Sequence, residues 1–245
     1  MTLLERVNIF KAISREHREL NQKKMNNQKL TNVARLFWIV VLAVVLYAAL
    51  DVVAQLLKPN NNPITDAESL LAVGPYGYIM TINFVNRGLI SLLFLFSFIA
   101  VLNAVGSSRN QFRGGLTLLA IWGVGALLLA GFPATDGTLI VHFIVAIPVF
   151  IGGGVGTFEI SRKLSQVKQL QGLRRIAFPL GILSFVLLVV ELGQELFVHH
   201  LNSSIGGLIE RLFLGSVLLW IAVVSGYLAT HVRMLTEHVE NKVKP

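Results

Sequence analysis

Seven ionisable residues stand within or at the ends of stretches that are otherwise almost wholly apolar: Asp51, Arg87, His142, Glu191, Glu195, Glu210 and Arg211. Their spacing is helical, because residues at i, i+4 and i+8 share one helix face. Tyr47, Asp51 and Gln55 form one such row. Asn83, Arg87 and Ser91 form a second, with Asn86 beside them, and Glu191, Glu195 and His199 form a third, with Gln194 beside them. These residue types could do several kinds of chemistry. An arginine seeks a carboxylate or another anion. Two carboxylates one turn apart can divide into an acid and a base when their environments differ. Carboxylates and imidazoles together, here Glu191, Glu195, His199 and His200 with His142, could ligate a metal. The set also fails to balance. Four acids (Asp51, Glu191, Glu195, Glu210) face two bases (Arg87, Arg211), which calls for a protonated acid or a cationic visitor.

The elements that must position these groups follow from composition. Of 245 residues, 54% are hydrophobic and 14% charged, with a mean hydropathy of +0.67. A soluble domain carries roughly a quarter charged residues, so an ordinary soluble enzyme is excluded, as are disordered and collagen-like chains. Cysteine is absent, which excludes disulfides, thiolate metal sites and cysteine nucleophiles. The apolar residues cluster in runs long enough to cross a bilayer. Six spans are predicted, over 36–57, 76–105, 115–132, 138–158, 176–198 and 208–230. The fold class is therefore an all-α, polytopic six-helix membrane bundle. Residues 1–35 form a basic, polar extension in which Leu3, Val7 and Phe10 suggest a short amphipathic helix, and residues 231–245 form a tail.

Basic residues set the orientation. Eighteen of the twenty-one Lys and Arg lie on one side: before the first span, between spans two and three, between four and five, and after six. Lys58 stands alone in an opposite connection, and Arg87 and Arg211 fall within spans. Both termini are thus expected in the cytoplasm of a cell-membrane protein. The net charge of +8 then reflects this bias and not a nucleic-acid surface. With that orientation the polar rows fall between mid-membrane and the outer surface. A charge at the centre of a lipid-facing helix costs roughly 2.5–3.5 kcal/mol, so the rows are expected to converge on a shared interior site open to the outside. Asp51, Arg87 and Glu191 would form its base, and His142, Glu195, Glu210 and Arg211 its mouth. The competing reading is a buried ion-pair network, Arg87 with Asp51 or Glu191, that only fixes helix register.

Other motifs carry less. The spacing of the third row matches neither a His-Glu-x-x-His site nor a di-iron bundle, so no metal or other cofactor is assigned. Gly152-Gly153-Gly154-x-Gly156 lies inside a span, where Gly152 and Gly156 suit close helix contact, within the chain or with another subunit. Pro148 suggests a kink in the same span. Trp38, Trp122 and Trp220 read as interface or packing aromatics. Asn202-Ser203-Ser204 matches a glycosylation sequon, a triplet common by chance.

Three blocks resemble a known family. Ser69-Leu70-Leu71-Ala72-Val73-Gly74-Pro75-Tyr76-Gly77-Tyr78, then Gly131-Phe132-Pro133 followed by His142, then Glu210-Arg211-Leu212-Phe213 with Trp220, occur in an order similar to that of the DUF998 family. The resemblance covers most of residues 36–230 and implies a compact six-helix bacterial or archaeal membrane protein, distantly similar to DRAM-type proteins. It also implies that His142, Glu210 and Arg211 belong to a shared pattern. The expected function is binding or movement of a small polar or lipid-derived ligand in the outward cavity. A membrane-embedded, lipid hydrolase-like enzyme and an accessory subunit with a purely structural charge network are the alternatives. The expected partners are membrane lipid and that ligand, and not nucleic acid.

Overall fold

Hydrocarbon offers no hydrogen bonds to a peptide group, so an apolar run that crosses a bilayer must bond its own backbone as helix. The computed structural model has six α-helices: α1 (Leu3–Leu57), α2 (Gly77–Ala104), α3 (Arg113–Gly131), α4 (Leu139–Lys163), α5 (Gln171–Gly193) and α6 (Gly206–Val243). The structure describes residues 3–194 and 205–243, with side chains over 28–194, 205–232 and 234. Among the described residues there is no strand, and six helical stretches are long and apolar enough to cross a membrane. The chain is an all-α, multi-pass membrane protein.

Each helix packs on the next, and α6 returns against α1 to close a ring. Contact also runs across the ring between α6 and both α2 and α4. The ring is filled by large side chains. Phe94 meets Phe98, Phe37 and Trp220 at ring separations of 5.5, 6.3 and 5.5 Å. The indole N–H of Trp220 donates to Ser161 Oγ and the Ala177 carbonyl, tying α6 to α4 and α5 so that no buried donor is stranded.

Helices α3 and α4 approach most closely where α4 lacks side chains. A Cβ on Gly152 would stand 2.5 Å from the Leu118 carbonyl oxygen, and one on Gly153 would stand 2.4 Å from the Trp122 ring. The Gly152–Gly156 stretch is therefore used within the chain, where small residues let backbones touch. It also fixes the indole of Trp122, which matters for the site below.

Two boundaries differ from those predicted. The basic extension is not a separate short helix, since α1 runs unbroken from Leu3 into the first span. No Pro or Gly interrupts residues 3–57, so propensity carries the helix through. Helix α6 likewise continues to Val243, beyond the span end predicted near residue 230. The long connection 58–76 is also more ordered than its turn formers suggest. It contains a 3-10 turn, Glu68–Ala72, that packs against α2 and α6.

Candidate functional site

The polar rows divide between two jobs. Asn83 Nδ2 donates to the Tyr47 carbonyl at 3.1 Å and Asn86 Nδ2 to the Ala43 carbonyl at 2.9 Å. These amides fasten α2 to α1 through backbone acceptors. Ser91 Oγ donates to the Arg87 carbonyl one turn back on the same helix. Arg87 is the member of the row that turns toward open space.

That space is a cavity of about 360 Å³ enclosed by α2 through α6 and the 58–76 connection. Its ionisable lining is Arg87, His142, Glu191 and Glu210, and most of the remaining wall is apolar, including Phe84, Leu129, Ile147 and Phe150. A second cavity of about 260 Å³ shares Phe143, His142, Glu191 and Glu210 with the first. It extends past Thr65, Ala134 and Gln194, toward the end of the bundle that carries the 58–76 connection. Concave, mostly apolar walls with a few converging polar groups are the usual form of a small-molecule site.

Arg87 is 1% exposed, and its guanidinium carbon stands 5.0 Å from the ring centroids of both Phe84 and Trp122. Aromatic faces attract a cation but leave its N–H groups without acceptors. Among the described residues, no carboxylate pairs with Arg87 within 4.0 Å, and its Nε has no hydrogen-bond partner. Among the described residues, the ion pair of Arg87 with Asp51 or Glu191 that the competing reading requires is not formed within 4.0 Å. His142 is held at its other edge, with Nδ1 2.7 Å from the Phe132 carbonyl oxygen. A carbonyl only accepts, so Nδ1 carries the proton of that bond and the ring's other nitrogen, Nε2, points away from Phe132.

The cavity is roofed by the 58–76 connection, and Glu68 is the key to that roof. Its side chain is 2% exposed and accepts the Tyr47 hydroxyl. Its backbone N–H donates to Glu210 Oε2 at 2.7 Å. Burial raises the Glu68 carboxyl from an ordinary value of 4.5 to about 8, reinforced by Asp51 and Glu210 and opposed by Arg87. The roof is also pinned by Arg211, whose Nη1 donates to the carbonyls of Pro63, Asp66 and Gly207. The Leu208 N–H donates to the Ile64 carbonyl at 3.0 Å. Gly207 is required there, since a Cβ would lie 2.2 Å from the Asp66 carbonyl oxygen. Within the roof, the Asn62 N–H holds the Asp66 carboxyl below its ordinary range.

Of the residues singled out in the sequence, Arg87, His142, Glu191 and Glu210 come together on one cavity. Asp51 and Arg211 do not line it. Asp51 sits on α1 and accepts from Gln55 Nε2, and Arg211 reaches into the roof because the Pro63 and Asp66 carbonyls converge on its Nη1 there. Glu195, His199, His200 and Asn202 lie outside the described residues. Among the described residues, no group of His, Cys, Asp and Glu is arranged to hold a metal. Sequence reasoning missed Glu68, and it placed Tyr47 only as a member of a row expected to converge on the site. The available signal was the apolar run Leu70-Leu71-Ala72-Val73, one residue beyond Glu68, out of place in a solvated loop.

A family model described as a protein of unknown function, DUF998, matches residues 41–227. Comparisons with curated proteins and with solved structures return no match. The matched segment runs from the first span to the last and takes in every residue of the cavity and its roof, so the chain belongs to the DUF998 family.

Proposed function

We propose that this protein lies in the plasma membrane with both termini in the cytoplasm. It binds or moves a small polar or lipid-derived ligand in a cavity that opens toward the outer face. The orientation rests on the basic residues, eighteen of which share one side. The observation that carries the binding role is Arg87: a guanidinium 1% exposed, on the wall of a cavity, with no carboxylate pairing with it among the described residues. A purely structural charge network would neutralise that cation within the protein, since a buried, uncompensated charge is costly. A visiting anionic or acceptor-rich group would neutralise it here.

Native mass spectrometry of the purified protein tests this role. The expected result is a retained small molecule or lipid in the wild type, absent in Arg87→Gln that still folds, and unchanged in Arg162→Gln at the opposite end. Equal occupancy in all three would overturn the role. So would an empty wild type, which together with a co-purifying protein subunit would favour the accessory reading.

A further inference from the structure

Resting on the binding role proposed above, we infer that residues 60–74 form a hinged lid over the Arg87 cavity, with the Glu68 carboxyl as its proton-operated latch. The lid is shut while Glu68 holds its proton and opens toward water when Glu68 ionises. Two features support this, the build of the lid and the surroundings of the latch.

The ionisable groups that line the cavity, Arg87, His142, Glu191 and Glu210, are only 1–6% exposed. Thr65, Ala67, Ser69 and Leu70 supply the wall on the side of the connection, so entry from water requires that this wall move. The backbone suits such a motion at two places. Among the described residues, positive φ occurs at Asn60 (55°), Gly74 (104°) and Gly106 (69°), and the first two bracket the lid. Asparagine and glycine reach this region at least cost, and a Cβ on Gly74 would meet nothing within 4 Å. Between these two points the chain is bonded to itself. The Asp66 N–H donates to the Asn62 carbonyl at 2.8 Å, the Asn62 N–H to the Asp66 carboxyl at 3.0 Å, and the Val73 N–H to the Leu70 carbonyl at 3.0 Å. A self-bonded segment between two such points has the form of a hinged closure.

The latch is identified by what titrates. Arg211 Nη1 and the Leu208 N–H hold the lid to α6 through the carbonyls of Pro63, Asp66 and Ile64, and none of these groups changes charge near neutral pH. Glu68 does. Its buried carboxyl accepts the Tyr47 hydroxyl of α1, and its own N–H donates to Glu210 of α6. Facing it are Tyr47 and Asp51 from α1, Arg87 from α2 and Glu210 from α6. Lys58 and Asp66 of the connection and Arg211 of α6 stand around the lid, and His142 of α4 and Glu191 of α5 line the cavity beneath it. Burial, then the charges of Asp51 and Glu210, push the Glu68 carboxyl from 4.5 up to about 8, against the opposing pull of Arg87. Once the lid opens, water restores the ordinary value. The open lid therefore releases a proton that the shut lid holds. Between pH 4.5 and 8 opening gains up to about tenfold per pH unit, and above 8 the gain levels off.

Lid opening is read without any ligand, because the chain has no cysteine and Ala146 lines the cavity while nearly buried. Alkylation of Ala146→Cys by a charged, water-soluble maleimide is timed on purified protein in lipid nanodiscs, with Glu68 intact and with Glu68→Gln. The ratio of the two rates cancels the thiol's own pH dependence. It is expected to rise about tenfold or more from pH 6 to pH 8 and to level off above. Asp51→Asn, which removes one of the charges acting on Glu68, should move the rise to lower pH. Ala126→Cys, buried on α3, should stay unlabelled throughout. A flat ratio overturns the inference, and so does an equal gain at Ala126→Cys, which would mean that the whole bundle loosens. If Glu68→Gln does not fold, the Ala146→Cys rate is referred instead to Gly137→Cys, at an exposed position. A rise whose midpoint falls with Asp51→Asn then supports the latch, and a flat rate or an unmoved midpoint overturns it. Retention of a molecule that depends on Arg87 is a separate measurement, so the binding role stands or falls apart from the lid.

Discussion

The backbone N–H of Glu68 donates to the Glu210 carboxylate at 2.7 Å, across 142 residues of sequence. This bond is one of several that join the roof of the cavity to the helix that closes the ring. One acid therefore belongs to the wall and the other to the roof, and they meet where the two cavities adjoin.

The protonation of Glu68 should make the stability of the protein pH-dependent with a defined sign. Its carboxyl is raised from 4.5 to about 8 by burial and the neighbouring acids, so the folded state holds a proton that the unfolded state releases above pH 4.5. Stability from this group is complete below 4.5 and is lost as pH rises through about 8. The wild type should melt at a higher temperature at about pH 5.5 than at about pH 8.5. Glu68→Gln, which mimics the protonated form, should lose much of that difference. A larger difference in the variant would show that other groups control it.

Arg211 should act on the roof and not on the cavity wall. Its Nη1 reaches three carbonyls, two of them in the 58–76 connection, and hydrogen bonds from a charged donor contribute roughly 1.5–3 kcal/mol each. Arg211→Ala should speed hydrogen exchange at Leu70 and Val73, whose amides hold the 3-10 turn, by about tenfold or more. Amides in the middle of α3 should be unaffected. Arg211→Lys should recover only part of the protection, because an ammonium on a flexible stem gives up more side-chain freedom to reach the same carbonyls than the preorganised guanidinium does. Uniform acceleration across the chain would mean that the roof does not open separately.

How much of this was legible in the sequence depended on the range of the interaction. Spans were legible because hydrocarbon imposes length and apolarity on each one locally. Arg87 and Glu191 were legible for the same reason, as charges where none is tolerated without cause. Asp51 lies outside the cavity lining, and its row gives a helix face but not the neighbour that face meets. The ring sets α1 between α2 and α6, away from the α4–α5 flank of the cavity. Glu68 was illegible as a site residue because its burial comes from a connection folding back onto Tyr47 and Glu210. No helical period records a contact of that kind.

The α3–α4 contact should tolerate no side chain at Gly153. A Cβ there meets the Trp122 ring at 2.4 Å, and overpacking costs about 1–3 kcal/mol. Gly153→Ala should lower the melting temperature and, by displacing the indole from Arg87, weaken ligand retention as well. Gly114→Ala, on α3 where nothing lies within 4 Å of a new Cβ, should be neutral or slightly stabilising, since alanine favours helix by about 1 kcal/mol over glycine. Equal effects at the two positions would remove the close contact as the explanation.

The proposed orientation can be read out by labelling, because the chain contains no cysteine of its own. Asn60→Cys lies in the roof connection and Ser165→Cys follows α4 at the opposite end, and both positions are exposed. In intact cells a membrane-impermeant maleimide should label Asn60→Cys fully and Ser165→Cys only after the membrane is broken. Eighteen basic residues against one across the two sides make the reverse pattern physically expensive, since positively charged flanks resist translocation. That reverse pattern would turn the cavity toward the cytoplasm. The binding chemistry of Arg87, His142, Glu191 and Glu210 would survive, but the ligand would have to come from the inner leaflet.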